Sequence, residues 1–151
     1  MKQTNNNTRV TIGWREWLAL PALGIDNIKV KVDTGARTSA IHADYIELYD
    51  NNGASYVRFG FSNTIGGDVQ KIVCEAPILD QREITSSSGE KEARYVINTQ
   101  MTLGGITKDI ELTLTNRSTM KFKMLLGRTA LSKDFNVAPD KSYVMGRPAS
   151  H

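Results

Sequence analysis

Val30-Lys31-Val32-Asp33-Thr34-Gly35-Ala36 is an alternating apolar run that closes on a carboxylate, a hydroxyl and a glycine. Ile28, Val30 and Val32 recur at a period of two, which predicts a half-buried strand with Asp33 at its end and a turn at Gly35. A carboxylate so placed is held by scaffold rather than by a mobile loop. Asp and Gly also dominate ordinary turns, so the tripeptide alone is compatible with a plain strand exit.

Near the other end stands Met124-Leu125-Leu126-Gly127-Arg128, a second apolar strand stopping at a glycine, followed by the helix-like Thr129-Ala130-Leu131-Ser132-Lys133. An Asp-Thr-Gly-Ala with two apolar residues and a Gly-Arg downstream resembles the retroviral-type aspartic protease domain, over roughly Val10 to Phe135. More closely, three segments resemble the bacterial retropepsin-like family often labelled ATP-dependent zinc protease. They are Ile12-Gly13-Trp14-Arg15-Glu16-Trp17 with Leu20-Pro21, then Val32 to Ala43, then Asn116-Arg117 with Met124 to Arg128. Members of that family are often found with ATP-grasp glutamate ligases. The resemblance implies an all-β, closed barrel-like domain with a flap hairpin and one short C-terminal helix.

The order of elements fits. Residues 1 to 7 are polar and Asn-rich, an expected frayed arm before a single domain over 8 to 151. Val10, Ile12 and Trp14 alternate, apolar character runs to Pro21, and Gly24 to Asn27 is expected to turn the chain into the Asp33 strand. Asp50-Asn51-Asn52-Gly53 and Gly66-Gly67-Asp68 read as turns around strands at Tyr56 to Phe61 and Val69 to Ala76. The segment from Asp50 to Ala76 is an insertion relative to viral enzymes on that resemblance. A polar tip at Ser86 to Lys91 precedes a long run from Ala93 to Leu103, Gly104-Gly105 breaks it, and Ile106 to Thr115 returns as a strand. The resemblance places the flap at that tip, with Ser87, Ser88 and Gly89 over the substrate; a surface hairpin with no lid role is the other reading.

An aspartic peptidase needs two carboxylates sharing one proton: the ionised one takes a proton from water as it attacks, and the protonated one donates to the carbonyl oxygen. Only one Asp-Thr-Gly occurs here, so catalysis implies a twofold homodimer in which Asp33 of each copy meets at the axis. On the resemblance, Asp33, Thr34 and Gly35 are catalytic, with the Thr34 hydroxyl bonding across the axis. Leu125, Leu126 and Gly127 are expected to pack behind the Asp33 turn, and Arg128 to open the helix. On the same resemblance, Ala36 and Arg37 are expected at the substrate cleft. Viral enzymes usually carry an acid where Arg37 stands, paired with the arginine of Gly-Arg. Arg37 and Arg128 therefore each need a carboxylate from elsewhere, with Asp134, Asp140 or the substrate as candidates. Arg37 either faces the cleft and selects acidic side chains, because guanidinium forks match carboxylates, or pairs within its own protomer. Arg58, Arg82, Arg94 and Arg117 lie in or beside strands and are not assigned to the site.

The remaining composition narrows the classes. In 151 residues there are one cysteine, two histidines and a formal charge of +3, without a basic run that would indicate nucleic-acid binding. Cys74, alone, reads as a buried strand thiol, and no disulfide scaffold is available. No leader-like apolar segment or 18-residue apolar run occurs, so a soluble, cytoplasmic protein off the membrane is expected. Neither a His-Glu-x-x-His, a paired cysteine nor a phosphate-cradling glycine loop is present; no metal or cofactor is expected, and His42 reads as a satisfied strand histidine. ATP dependence would belong to a partner, such as an ATP-grasp ligase system. The reading is an aspartic endopeptidase acting on a peptide or protein substrate. Its rivals are a non-catalytic dimeric peptide-binding module of the same fold and, less favoured, a zinc-dependent peptidase.

Overall fold

Two apolar runs in the first quarter of the chain fold as an antiparallel pair, β1 (Val10–Leu20) and β2 (Ile25–Asp33), with Trp17 opposite Lys29. The computed structural model describes residues 9–85 and 88–148, so the arm at 1 to 7 and Ser86 and Ser87 of the hairpin tip lie outside the described residues. The link between β1 and β2 is tighter than expected: Pro21–Leu23 makes one 3-10 turn, Gly24 closes it at φ 78°, and Ile25 is already in β2. Proline's fixed φ starts such a turn and glycine tolerates the left-handed exit.

The later strands are β3 (Ser39–His42), β4 (Ile46–Asn51), β5 (Ala54–Ile65), β6 (Asp68–Thr85), β7 (Lys91–Leu103), β8 (Ile106–Thr115), β9 (Met124–Gly127) and β10 (Phe135–Ser142). The single described α-helix, α1 (Arg128–Leu131), comes directly after β9. Neighbours run β10-β1-β2-β9-β3-β8-β7-β6-β5-β4, and Ala19 of β1 also pairs with Thr102 of β7. That last contact closes β1, β2, β9, β3, β8 and β7 into a six-stranded barrel. Leu18, Ile28, Val30, Ile41, Met101, Leu112, Met124 and Leu126 are buried in its core. Each such side chain contributes about 1.5–3 kcal/mol on burial. Among the described residues, no helix is long and apolar enough to cross a membrane.

Beyond the barrel, β4, β5 and β6 form an antiparallel meander. Asn52 and Gly53, both at positive φ, turn β4 into β5, as the Asp-Asn-Asn-Gly sequence predicts. The expected strand ending at Ala76 instead continues to Thr85, pairing with β5 up to Pro77 and with β7 from Ile78 onward. A register shift between Ile78 and Asp80 lets one strand serve both sheets. Cys74 is buried here, at 1% exposure, against Phe59 of the neighbouring strand.

Sequence alone assigns no element after Asp134, yet β10 runs parallel to β1 with Val10 opposite Phe135. The segment beyond β10 is anchored by a carboxylate that the sequence does not single out. Glu16, fully buried, accepts the N–H groups of Gly13 at 2.7 Å, Val144 at 2.8 Å and Met145 at 3.1 Å. Arg147 stacks over Trp17, so the C-terminal segment covers β1 of its own chain.

Candidate active site

Asp33 ends β2 opposite Gly127 of β9, in a parallel register that also sets Val32 beside Leu126. Its Oδ1 accepts the N–H of Gly35 at 3.0 Å, and its carbonyl accepts that of Ala36 at 3.1 Å. A Cβ on Gly35 would stand 3.2 Å from that same carboxylate oxygen, so glycine is what lets the carboxylate fold back on the turn. Thr34 and Gly35 are exposed, and Asp33 is half-buried rather than walled in.

The turn is clamped from β9 and α1. The N–H of Arg128 donates to Ala36 O at 2.9 Å, and both the N–H and the hydroxyl of Thr129 donate to Arg37 O. Gly127 N donates to the hydroxyl of fully buried Ser39 at 3.0 Å. Arg128 opens α1 as expected, but it does not seek a carboxylate: its guanidinium donates to the carbonyls of Thr34 at 3.4 Å and Gly35 at 3.3 Å. Asp134, a candidate partner, is taken by Lys108 at 2.6 Å. Carbonyls suffice because the turn directs two of them at the helix start. Leu126 and Gly127 do sit behind the Asp33 turn, whereas Leu125 points the other way, into the cleft. Period-two alternation requires that if Leu126 is inward.

Two hollows meet at this point. The smaller, about 370 Å³, contains Asp33 and an aromatic wall of Trp14 and Phe122, edge to face at 6.0 Å, rimmed by Lys31 and Lys121. The larger, about 920 Å³, is lined by Ala36 and Arg37 from the same turn and by Ile84 and Thr85 at the end of β6. Arg117 and Leu125 belong to both. Ser88 and Gly89, at the described part of the β6–β7 tip, are exposed, with Gly89 at φ 88°.

The larger hollow gathers four arginines, Arg37, Arg82, Arg94 and Arg117, against one lining carboxylate, Glu83. Sequence alone assigns only Arg37 to the site. Strand alternation gives each arginine a face but not which faces converge, and these four come from four separate segments. Arg82 is held by Glu111 at 2.7 Å and by Asp80 at 2.9 Å, and Arg94 by Glu92 at 2.6 Å. Arg58 pairs with Glu75 at 2.6 Å, away on the meander. Among the described residues, neither Arg37 nor Arg117 makes an ion pair within 4 Å. Arg37 nevertheless helps to lower the Glu111 carboxyl, behind the larger effect of the Arg82 hydrogen bond. Burial pulls the Arg117 guanidinium below its ordinary value, and the charge of Arg94 adds to this, while Asp33 pulls the other way. Arg117 is therefore a half-buried, partly desolvated cation within electrostatic reach of the Asp33 carboxylate.

His42 is buried and fully engaged, between Asp44 and the backbone N–H of Arg117. Among the described residues, no three of His, Cys, Asp and Glu converge to hold a metal ion.

This geometry agrees with what the chain is similar to. Residues 11–148 match the RimB-like family, described as retropepsin-like aspartic endopeptidase RimB. The chain belongs to that family. The match spans both the Asp-Thr-Gly turn and the Leu-Leu-Gly-Arg strand behind it, and it agrees with the all-β barrel. A probable alpha-L-glutamate ligase of Shewanella pealeana is 43% identical over 141 residues, which is 93% of this chain and 31% of that protein. Another, of Desulfotalea psychrophila, is 42% identical over 136 residues, or 89% of this chain and 29% of that protein. The chain thus spans about a third of the length of these relatives. Among solved structures, Lpg0085 of Legionella pneumophila, a protein with unknown function (DUF785), superposes with a TM-score of 0.71. It is 24% identical, with 90% of this chain and 98% of that one covered, and this likeness bears on the fold alone.

Proposed function

We propose that this RimB-like chain is an aspartic endopeptidase that acts as a homodimer on acidic peptide segments. The observation that carries this reading is the placement of Asp33. It stands at a rigid strand end, open to a cleft whose larger half is lined by Arg37, Arg82, Arg94 and Arg117. Two copies apposed at their exposed Thr34-Gly35 turns would bring two Asp33 carboxylates to one water. One carboxylate takes a proton as the water oxygen attacks the peptide carbonyl, and the other gives its proton to the carbonyl oxygen. Collapse of the tetrahedral intermediate then breaks the C–N bond, and the amine departs with a proton. Thr34 would bond across the axis, and the β6–β7 hairpin, with Ser88 and Gly89, would close over the substrate.

The arginines set the substrate class. A guanidinium that makes no ion pair among the described residues, as for Arg37 and Arg117, is a ready partner for glutamate side chains. The relatives named alpha-L-glutamate ligase support a substrate in which glutamates have been added to a protein tail, and a ligase of that kind as a partner.

The test is cleavage of a glutamate-rich peptide followed by mass spectrometry. The wild-type chain should cut it, and Asp33→Asn should bind it without cutting. Binding without cleavage by either protein would favour the peptide-binding module instead. Arg37→Ala should raise KM about tenfold for the glutamate peptide and much less for its glutamine counterpart. Equal effects on both would remove Arg37 from substrate recognition.

A further inference from the structure

We propose that His42 is a positioning residue for Arg117, holding it beside Asp33 through a hydrogen-bonded relay that starts on the outer meander. This rests on the peptidase reading. The backbone N–H of Arg117 donates to His42 Nδ1 at 2.9 Å. A nitrogen that accepts carries no proton, so the imidazole is neutral with its proton on Nε2, which donates to Asp44 Oδ1 at 2.9 Å. The other oxygen of Asp44 accepts the hydroxyl of Ser62, on β5, at 2.7 Å. His42, on β3, also donates its own N–H to Lys123 O at 2.8 Å, just before β9.

The relay meets a loop that is otherwise wound on itself. The Lys123 ammonium collects the carbonyls of Ser118 at 2.7 Å and Met120 at 2.8 Å, and Arg117 Nε donates to Phe122 O at 3.1 Å. Those contacts shape the loop but do not tie it to the barrel. His42 ties it there twice, through its own N–H to Lys123 O and through its imidazole to the N–H of Arg117, the residue that lines both hollows. Burial and the charge of Arg94 disfavour the Arg117 cation while Asp33 favours it, so its standing beside Asp33 is sensitive to where its backbone is held. The Ser62–Asp44–His42 order is not a nucleophile–base array, because the serine bonds the carboxylate rather than the ring.

Three substitutions separate the contacts. His42→Gln keeps a donor near Nε2 and loses the acceptor for Arg117, whereas His42→Asn puts an amide oxygen near Nδ1. His42→Gln should raise KM for a glutamate-rich peptide about tenfold, with kcat within about twofold, and His42→Asn should restore most of the loss. In an Arg117→Ala background neither change should matter further. Full-sized effects in that background, or equal losses on glutamate and glutamine peptides, would overturn the proposal. Nitrogen NMR of the wild-type imidazole should show Nδ1 unprotonated and Nε2 protonated; the opposite tautomer would also overturn it. Should the wild-type chain cleave nothing, the peptidase reading fails alone. Affinity of the same peptide for Asp33→Asn protein, with and without His42→Gln, still judges the relay.

Discussion

Replacing Gly127 by alanine tests how tightly the candidate site is built. An added Cβ would stand 2.7 Å from the Thr38 carbonyl carbon and 2.9 Å from both Arg37 O and Thr38 N. Ordinary contact begins near 3.4 Å, so about 0.7 Å of separation must be opened. All three neighbours are backbone atoms, and no side chain can rotate away. The same backbone is held by Arg128 N to Ala36 O, Thr129 N to Arg37 O and Gly127 N to Ser39 Oγ, so the movement strains the whole Asp33 turn. Overpacking of this kind costs about 1–3 kcal/mol, which moves the urea midpoint down by roughly 1 M. On the peptidase reading, a displacement approaching 1 Å in the Asp33 turn lowers kcat by roughly ten- to a hundredfold. Urea unfolding and peptide cleavage on the same protein measure both effects. Wild-type values for the midpoint and for kcat would refute the reasoning, because they would mean that β9 and the Asp33 turn are not in rigid contact.

Two other groups give outcomes of their own. Burial pushes the Cys74 thiol from its ordinary 9.0 up to about 12, so at pH 8 the thiolate fraction is on the order of 10⁻⁴ and iodoacetamide should label Cys74 only after unfolding. Because the folded state keeps that proton, its contribution to stability is complete below 9 and lost as pH rises toward 12; native labelling at pH 8 would contradict this. The Arg82 hydrogen bond lowers the Glu111 carboxyl below its ordinary 4.5, so the pair's stabilisation is complete above 4.5 and lost as pH falls through the lower folded value. With side-chain exposures of 35% for Arg82 and 39% for Glu111, the pair is screened and contributes under about 1 kcal/mol. Urea midpoints between pH 6 and 3 should fall less steeply for Glu111→Gln than for wild type, and parallel curves would count against the pair.

How much of the fold and site is legible in the sequence depends on how local the signal is. Val30, Val32 and Asp33, and Leu126 and Gly127, carry period-two alternation and a terminal glycine, so the two strands and their turn can be read directly. Long-range partners cannot. Glu16 sits in an apolar strand and becomes intelligible only when Val144 and Met145 arrive from the far end of the chain with N–H groups to satisfy. The arginine-lined hollow is assembled from Arg37 after β2, Arg82 on β6, Arg94 on β7 and Arg117 after β8. No spacing rule links those four positions. The strand expected over Val69 to Ala76 runs on to Thr85 because it changes partners after Pro77, a switch between sheets that no local pattern announces.

The most direct test of a shared dyad is activity in mixed dimers. Wild-type and Asp33→Asn chains are combined at fixed total concentration, allowed to exchange subunits, and assayed on a glutamate-rich peptide. If each active site takes one Asp33 from each copy, only all-wild-type dimers cut, and an equal mixture retains about a quarter of the wild-type rate. A rate of about half, falling linearly with the mutant fraction, would show that one chain acts alone and would contradict the account.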